Sequence, residues 1–165
     1  MGPANFIDRC YQVAMIVAYR LMLAQWFLIR PKRYGATAVV WVGDSVLLVR
    51  NSYKSEYSFP GGGRSLKEEA DQAAARELFE ETAVKVPASQ LRFAMSGLSK
   101  SEWKHDQCDY FEVTLEAQPD FQIDNREIIF GEFVPFDQLN EYPLICTAKQ
   151  YVAWKRKQLA NAEAS

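Results

Sequence analysis

Residues 61–84 read GGGRSLKEEADQAAARELFEETAV. The three glycines leave backbone N–H and C=O groups open, with no side chain between them and a phosphate or a metal. From Leu66 to Thr82 the composition predicts a helix: many alanines, acidic residues early, no internal Gly or Pro. Pro87 stops any continuation. On a helix, residues three and four apart are neighbours, so Glu77, Glu80 and Glu81 converge on one face. Each like-charge pair costs a few tenths of a kcal/mol, roughly, and a helix C-terminus gives carboxylates no help. Arg76 offsets one charge. A hard divalent cation would offset the rest, and an all-oxygen set selects Mg²⁺ or Mn²⁺ over zinc. A solvated acidic face explains the glutamates taken alone, and a tight turn explains the glycines taken alone. Their joint occurrence at a short fixed spacing is what singles out a site.

Either side of this stretch the pattern is that of strands. Ala36–Val42 and Ser45–Arg50, joined by Gly43-Asp44, read as a hairpin. Leu91–Leu98, Asp109–Glu116 and Glu127–Val134 read as further strands. Pro135 and Asp137 open a short turn or helix, and Leu144–Leu159 reads as a closing amphipathic helix. Strands and helices mix without strict βαβ alternation, which predicts an α/β layered sandwich on a mixed sheet.

The first segment is of another kind. From Cys10 to Ile29 only Gln12, Arg20 and Gln25 are not apolar. That length matches a bilayer crossing, but Arg20 sits at its centre, and no basic n-region or cleavage site marks a signal peptide. At about 100° per residue, Asp8, Arg9, Gln12, Arg20 and Arg30 fall in one stripe of roughly 120°. The expectation is an amphipathic helix ended by Pro31. It either packs on its own domain or a twin subunit in a homodimer, lies on a membrane surface, or spans. Residues 1–31 are therefore set apart as an extension, and 32–165 as one domain.

The bulk numbers exclude several classes. Net charge is −2, so the basic excess of a general nucleic-acid binder is missing. The clusters Arg30/Lys32/Arg33 and Lys155/Arg156/Lys157 flank expected helix ends, where cations suit the dipole. Cys10, Cys108 and Cys146 form no C-x-x-C pair, and His105 is the only histidine. Neither a disulfide framework nor a His-based zinc site is indicated, and a reducing cytoplasm fits best.

Gly62, five residues, Glu68, seven residues, then Arg76-Glu77-Leu78-x-Glu80-Glu81-x-Ala83-Val84 is similar to the Nudix box. The box reads G-x5-E-x7-R-E-U-x-E-E-x-G-U, with U a bulky aliphatic. Phe59-Pro60-Gly61 resembles the loop leading into it, and weaker resemblance runs from about Gly35 to Leu139. The one departure is Ala83 in place of glycine. Glycine after a helix supplies a left-handed cap, and alanine there costs about 1 kcal/mol or more unless the helix ends otherwise or runs on.

The resemblance implies a Nudix-type α/β/α sandwich around a mixed β-sheet, with the N-terminal helix as an addition. It implies divalent-metal-dependent hydrolysis of a phosphoanhydride in a nucleoside diphosphate derivative. Glu77, Glu80 and Glu81 then resemble metal ligands, with the Gly61 carbonyl as a backbone ligand, and Glu77 is alternatively the base. Glu68 resembles a support of the loop, Arg76 an orienter of carboxylates, and Glu127 a distal glutamate that completes the metal site or serves as base. Beside these, Arg50 and Lys54 are candidate phosphate contacts, with Gly62 and Gly63 in the substrate loop. Tyr57, Phe59, Trp103 and Phe130 are candidate base-stacking rings.

Ser99 stands where ADP-ribose hydrolases of the family carry proline. No tyrosine of the dinucleoside-polyphosphate type occupies Leu98–Ser101, and the NADH-hydrolase array is missing. A nucleoside tri- or diphosphate is the expected substrate. A nucleotide-binding or regulatory module without turnover is the alternative, disfavoured because it has no use for clustered charge.

Overall fold

The computed structural model describes residues 5–65 and 67–163. Among the described residues nine helices and strands carry the fold: α1 (Phe6–Ile29), β1 (Lys32–Val42), β2 (Ser45–Asn51), β3 (Gly61–Gly63), α2 (Ala70–Thr82), β4 (Arg92–Ser99), β5 (His105–Leu115), β6 (Ile128–Pro135) and α3 (Cys146–Glu163). The sheet runs β4-β5-β1-β2-β6, with β3 pairing β1 beside β2. β1 and β5 are parallel over the whole of Lys32–Val42, and the other pairings are antiparallel. The mixed sheet expected from the pattern is present.

β1 alternates its side chains between two cores. Ala36, Ala38 and Val40 point to α2, where they meet Ala73, Ala74 and Leu78. Val39 and Trp41 point to α3, where they meet Ala148, Tyr151 and Val152. A strand buried on both faces reads as a continuous apolar run, which is why residues 38–42 are uniformly hydrophobic. The result is a three-layer sandwich, α2 on one face and α3 on the other.

Several boundaries shift. β1 begins four residues earlier than expected, because pairing with β5 carries Lys32–Gly35 along. The helix expected from Leu66 starts at Ala70; Leu66 itself lies outside the described residues. Ahead of it the chain turns, the Glu68 N–H donating to the Ser65 carbonyl at 3.2 Å, and the Glu68 side chain is engaged by Arg76. At its other end α2 does take the left-handed cap. Ala83 has φ 59° and donates its N–H to the Phe79 carbonyl at 2.8 Å.

The N-terminal helix is longer than expected and opens with a capping box: the Asn5 side chain accepts from the Asp8 N–H, and the Asp8 carboxylate accepts from the Asn5 N–H. It does lie against the domain, but by a mixed stripe. Asp8, Gln12, Tyr19 and Trp26 face inward, Asp8 pairing with Arg126 at 3.0 Å and Gln12 donating to the Asn125 carbonyl. Much of the apolar surface points away. Among the described residues, α1 is the one helix long and apolar enough to cross a membrane, by length and composition only.

Candidate active site

β3 is three glycines laid antiparallel against Gly35–Thr37. A Cβ at Gly61 would come within 2.5 Å of the Ala36 carbonyl oxygen. One at Gly62 would come within 2.5 Å of the Glu77 carboxylate. The glycines thus let α2 approach the strand so closely that its carboxylates touch the loop. The Gly61 N–H donates to Glu81 Oε2 at 3.0 Å, fixing that carboxylate from the strand side.

Arg76 organises the rest. Its Nε and Nη2 grip both oxygens of Glu68, at 2.8 and 3.1 Å. Its Nη1 donates to Glu77 Oε1 at 2.8 Å and to Glu80 Oε2 at 3.0 Å, and Nη2 reaches the Gly63 carbonyl. One planar guanidinium therefore ties the loop, the turn before α2 and two of the three glutamates. The Arg76 hydrogen bond holds the Glu68 carboxyl below its ordinary pKa.

Glu77 and Glu81 are in the opposite condition. Desolvation raises the pKa of Glu77, with Arg76 opposing it and Glu80 and Glu127 adding repulsion. Glu81 keeps a window on the cavity yet has protein on nearly all sides. Desolvation lifts it well above the usual carboxylate range, the Gly61 N–H opposes this, and Glu77, Glu127 and Asp124 add to it. Groups pushed this way by burial and like charge are the signature of a functional site.

Both carboxylates border a cavity of about 430 Å³, within the ordinary range for a small-molecule site. Glu127 stands across it, its carboxylate accepting from the Tyr53 hydroxyl at 3.1 Å. The loop carrying Glu127 is held by Asp124, whose side chain accepts from the N–H groups of Arg126, Glu127 and Ile128.

Of the residues singled out from sequence, the cavity collects Gly61, Gly62, Gly63, Glu77, Glu81, Glu127, Lys54 and Phe59. Glu80 is exposed and held by Arg76 outside it. Arg50 lies elsewhere: its guanidinium sits 5.3 Å over the Tyr57 ring, and Tyr57 packs edge-on with Phe130 and Tyr142. Alternation along β2 explains this. Arg50 faces one side and Asn51, past a bulge, faces the cavity. Phe59 is 1% exposed and packs on Tyr151 in the core, so its face is not open to a base. Trp103 packs edge-on against Phe27.

Sequence reading missed the other wall. Tyr19, Met22 and Trp26 of α1 line the cavity with Tyr53, Lys104 and Asp106. Tyr19 packs on Tyr53 with the rings tilted and their centroids 4.9 Å apart, and its hydroxyl donates to Glu102. Trp26 is bracketed by Lys104 and Arg33 at 4.6 and 6.0 Å. Asp8, Gln12, Tyr19 and Trp26 do lie on one helix face, but a stripe half polar and half aromatic does not mark itself as the inward one.

Among the described residues no three acidic, histidine or cysteine side chains already converge at metal-binding distance. The donor set nonetheless fits a hard divalent cation. Glu77, Glu81 and Glu127 offer only oxygen, two of them are desolvated, and glycine keeps the space beside Glu77 clear.

The family model for the NUDIX domain matches residues 31–160. No curated protein matches the chain. Among solved structures, the MutT protein from Methanosarcina mazei Go1 superposes with TM-score 0.67 at 18% identity, covering 78% of this chain and 96% of that one. The NUDIX domain of Shewanella oneidensis NrtR, complexed with ADP ribose, gives 0.65 at 21% identity, covering 78% and 88%. A bifunctional NMN adenylyltransferase/ADP ribose pyrophosphatase from Francisella tularensis, complexed with AMP and a Mn ion, gives 0.67 at 18% identity, covering 86% of this chain and 48% of that one. The structural likenesses establish the fold, and the family match spans most of the sequence and every site residue except those of α1. The chain belongs to the Nudix hydrolase family.

Proposed function

We propose that this chain hydrolyses a phosphoanhydride bond of a nucleoside tri- or diphosphate, with Mg²⁺ or Mn²⁺ held by Glu77, Glu81 and the Gly61 carbonyl, by Glu80 once it leaves Arg76, and with Glu127 free to serve as base. The observation that carries the reading is the pair of desolvated carboxylates, Glu77 and Glu81, packed on the glycine strand and facing Glu127 across one cavity. The cation, when bound, neutralises phosphate oxygens and lowers the pKa of water.

The chain's own residues supply the remainder. Glu127, held by Tyr53, stands on the cavity wall, where it can take the proton from the attacking water. Glu77 is the second candidate base. As water oxygen bonds to phosphorus, the P–O bond to the leaving phosphate breaks and the electron pair departs with it. Lys54, Lys104 and Arg33 line the cavity and offset phosphate charge. Tyr19 and Tyr53 offer aromatic surface to a base. The free thiols Cys10, Cys108 and Cys146 agree with a reducing, cytoplasmic setting.

A phosphate-release screen over nucleoside tri- and diphosphates, nucleotide sugars, ADP-ribose, NAD(H) and capped RNA tests this, with Mg²⁺ or Mn²⁺ and with chelator. Turnover of a tri- or diphosphate that chelator abolishes, and that Glu81→Gln lowers at least a hundredfold (about 2.7 kcal/mol), is the expected result. No turnover of any substrate, with the metal still bound, would instead assign the chain as a nucleotide-binding module.

A further inference from the structure

The face of α1 turned away from the domain is almost wholly apolar. Phe6, Val13, Val17, Leu21 and Leu28 form one stripe along it, Phe6 81% and Leu28 79% exposed. Only 6% of the most apolar window of this helix is buried. An amphipathic helix of a soluble domain ordinarily turns that face to the core. Here Asp8, Gln12, Tyr19 and Trp26 take the inward position instead.

Charge identifies what the outward face meets. The only acid in α1 is Asp8, and it is buried against Arg126. Arg9 and Arg20 lie on one flank of the apolar stripe, both exposed, and exposed Arg30 and Lys32 follow at its C-terminal end. None of these four cations forms a salt bridge among the described residues. Lys32 also shares a surface cavity with Arg33, Lys100, the exposed Leu98 and Asp106, the last already paired with Lys104. An apolar stripe bordered by unpaired cations and free of acid complements an anionic lipid headgroup layer over hydrocarbon.

We propose that α1 is an interfacial helix that seats this enzyme on an anionic membrane surface, its inner face on the domain and its outer face in the headgroup layer. A second copy of the chain fits less well. The stripe is about 36 Å long and a helix is about 10 Å wide, so it offers on the order of 400 Å² against roughly 800 Å² per partner in a standard interface. No acid on that face would meet Arg9 and Arg20 of a twin. A span fits less well too, because it would break the Asp8–Arg126, Gln12–Asn125 and Tyr19–Tyr53 contacts. It would also place Arg20 in hydrocarbon.

Flotation of the full chain with phosphatidylcholine vesicles, with and without phosphatidylglycerol, tests the proposal, with light scattering on the same samples. Binding is expected on the anionic vesicles only, weakened by salt and by about fivefold for each of Arg9→Gln and Arg20→Gln. Val17→Glu with Leu21→Glu should weaken it at least tenfold, with melting temperature and nucleotide turnover preserved. The proposal is overturned if the wild-type chain stays unbound, or if the double variant binds as before. It is also overturned by a dimer that the double variant splits without any vesicle binding, which would assign the face to a second copy. Resistance of the bound chain to alkaline carbonate would assign a span and overturn it equally.

Discussion

At the scale of single residues, Glu81 is the most consequential. In the metal-free protein it holds a carboxylate beside Glu77 in a site that desolvates both. Its folded pKa is raised, so the stability supplied by its neutral form is fully present below the ordinary carboxylate pKa and is lost as pH rises through the raised value. Glu81→Gln keeps an acceptor for the Gly61 N–H and removes the charge. In chelator at neutral pH this variant should be the more stable by about 1 kcal/mol, the scale typical of relieving functional strain. That raises Tm by about 2–4 °C. The advantage should shrink as pH falls from neutral toward the ordinary carboxylate range, as the wild-type carboxyl takes up its proton. Thermal melts across that range check this. A variant less stable than the parent at every pH would mean that Glu81 carries no strained charge.

At the scale of elements, α2 and the glycine strand were legible because their information is local. Spacing from Gly62 to Glu81 sets both the helix face and the loop it meets. Glu127 and Tyr53, 74 residues apart, are joined only by the pairing of β2 with β6, which no local pattern specifies. Arg50 and Phe59 were drawn to the site by closeness in sequence, while strand alternation and core packing carry them away. For α1, periodicity defined an apolar and a polar face but could not say which face meets the domain, because the inward stripe is half aromatic and half polar.

The end of α2 gives an element-scale prediction. Ala83 occupies a left-handed cap that glycine adopts without steric cost. Ala83→Gly should therefore stabilise the protein by about 0.5–1 kcal/mol, the relieved strain less the extra chain entropy of glycine. A denaturant melt showing a lower midpoint for the glycine variant would contradict the strain.

At the scale of the whole molecule, the site belongs to no single layer. α2 supplies the desolvated pair, β3 the close approach, the loop before β6 the distal glutamate, and α1 an aromatic wall outside the matched NUDIX domain. Carboxylates brought together this way repel one another, and a bound cation would relieve that repulsion. Calorimetric titration of Mn²⁺ into the full chain tests it most directly. Saturable binding is expected, at least tenfold weaker in both Glu77→Gln and Glu81→Gln, consistent with the loss of a direct oxygen ligand. Binding of equal strength in the parent and both variants would place the metal elsewhere and contradict it.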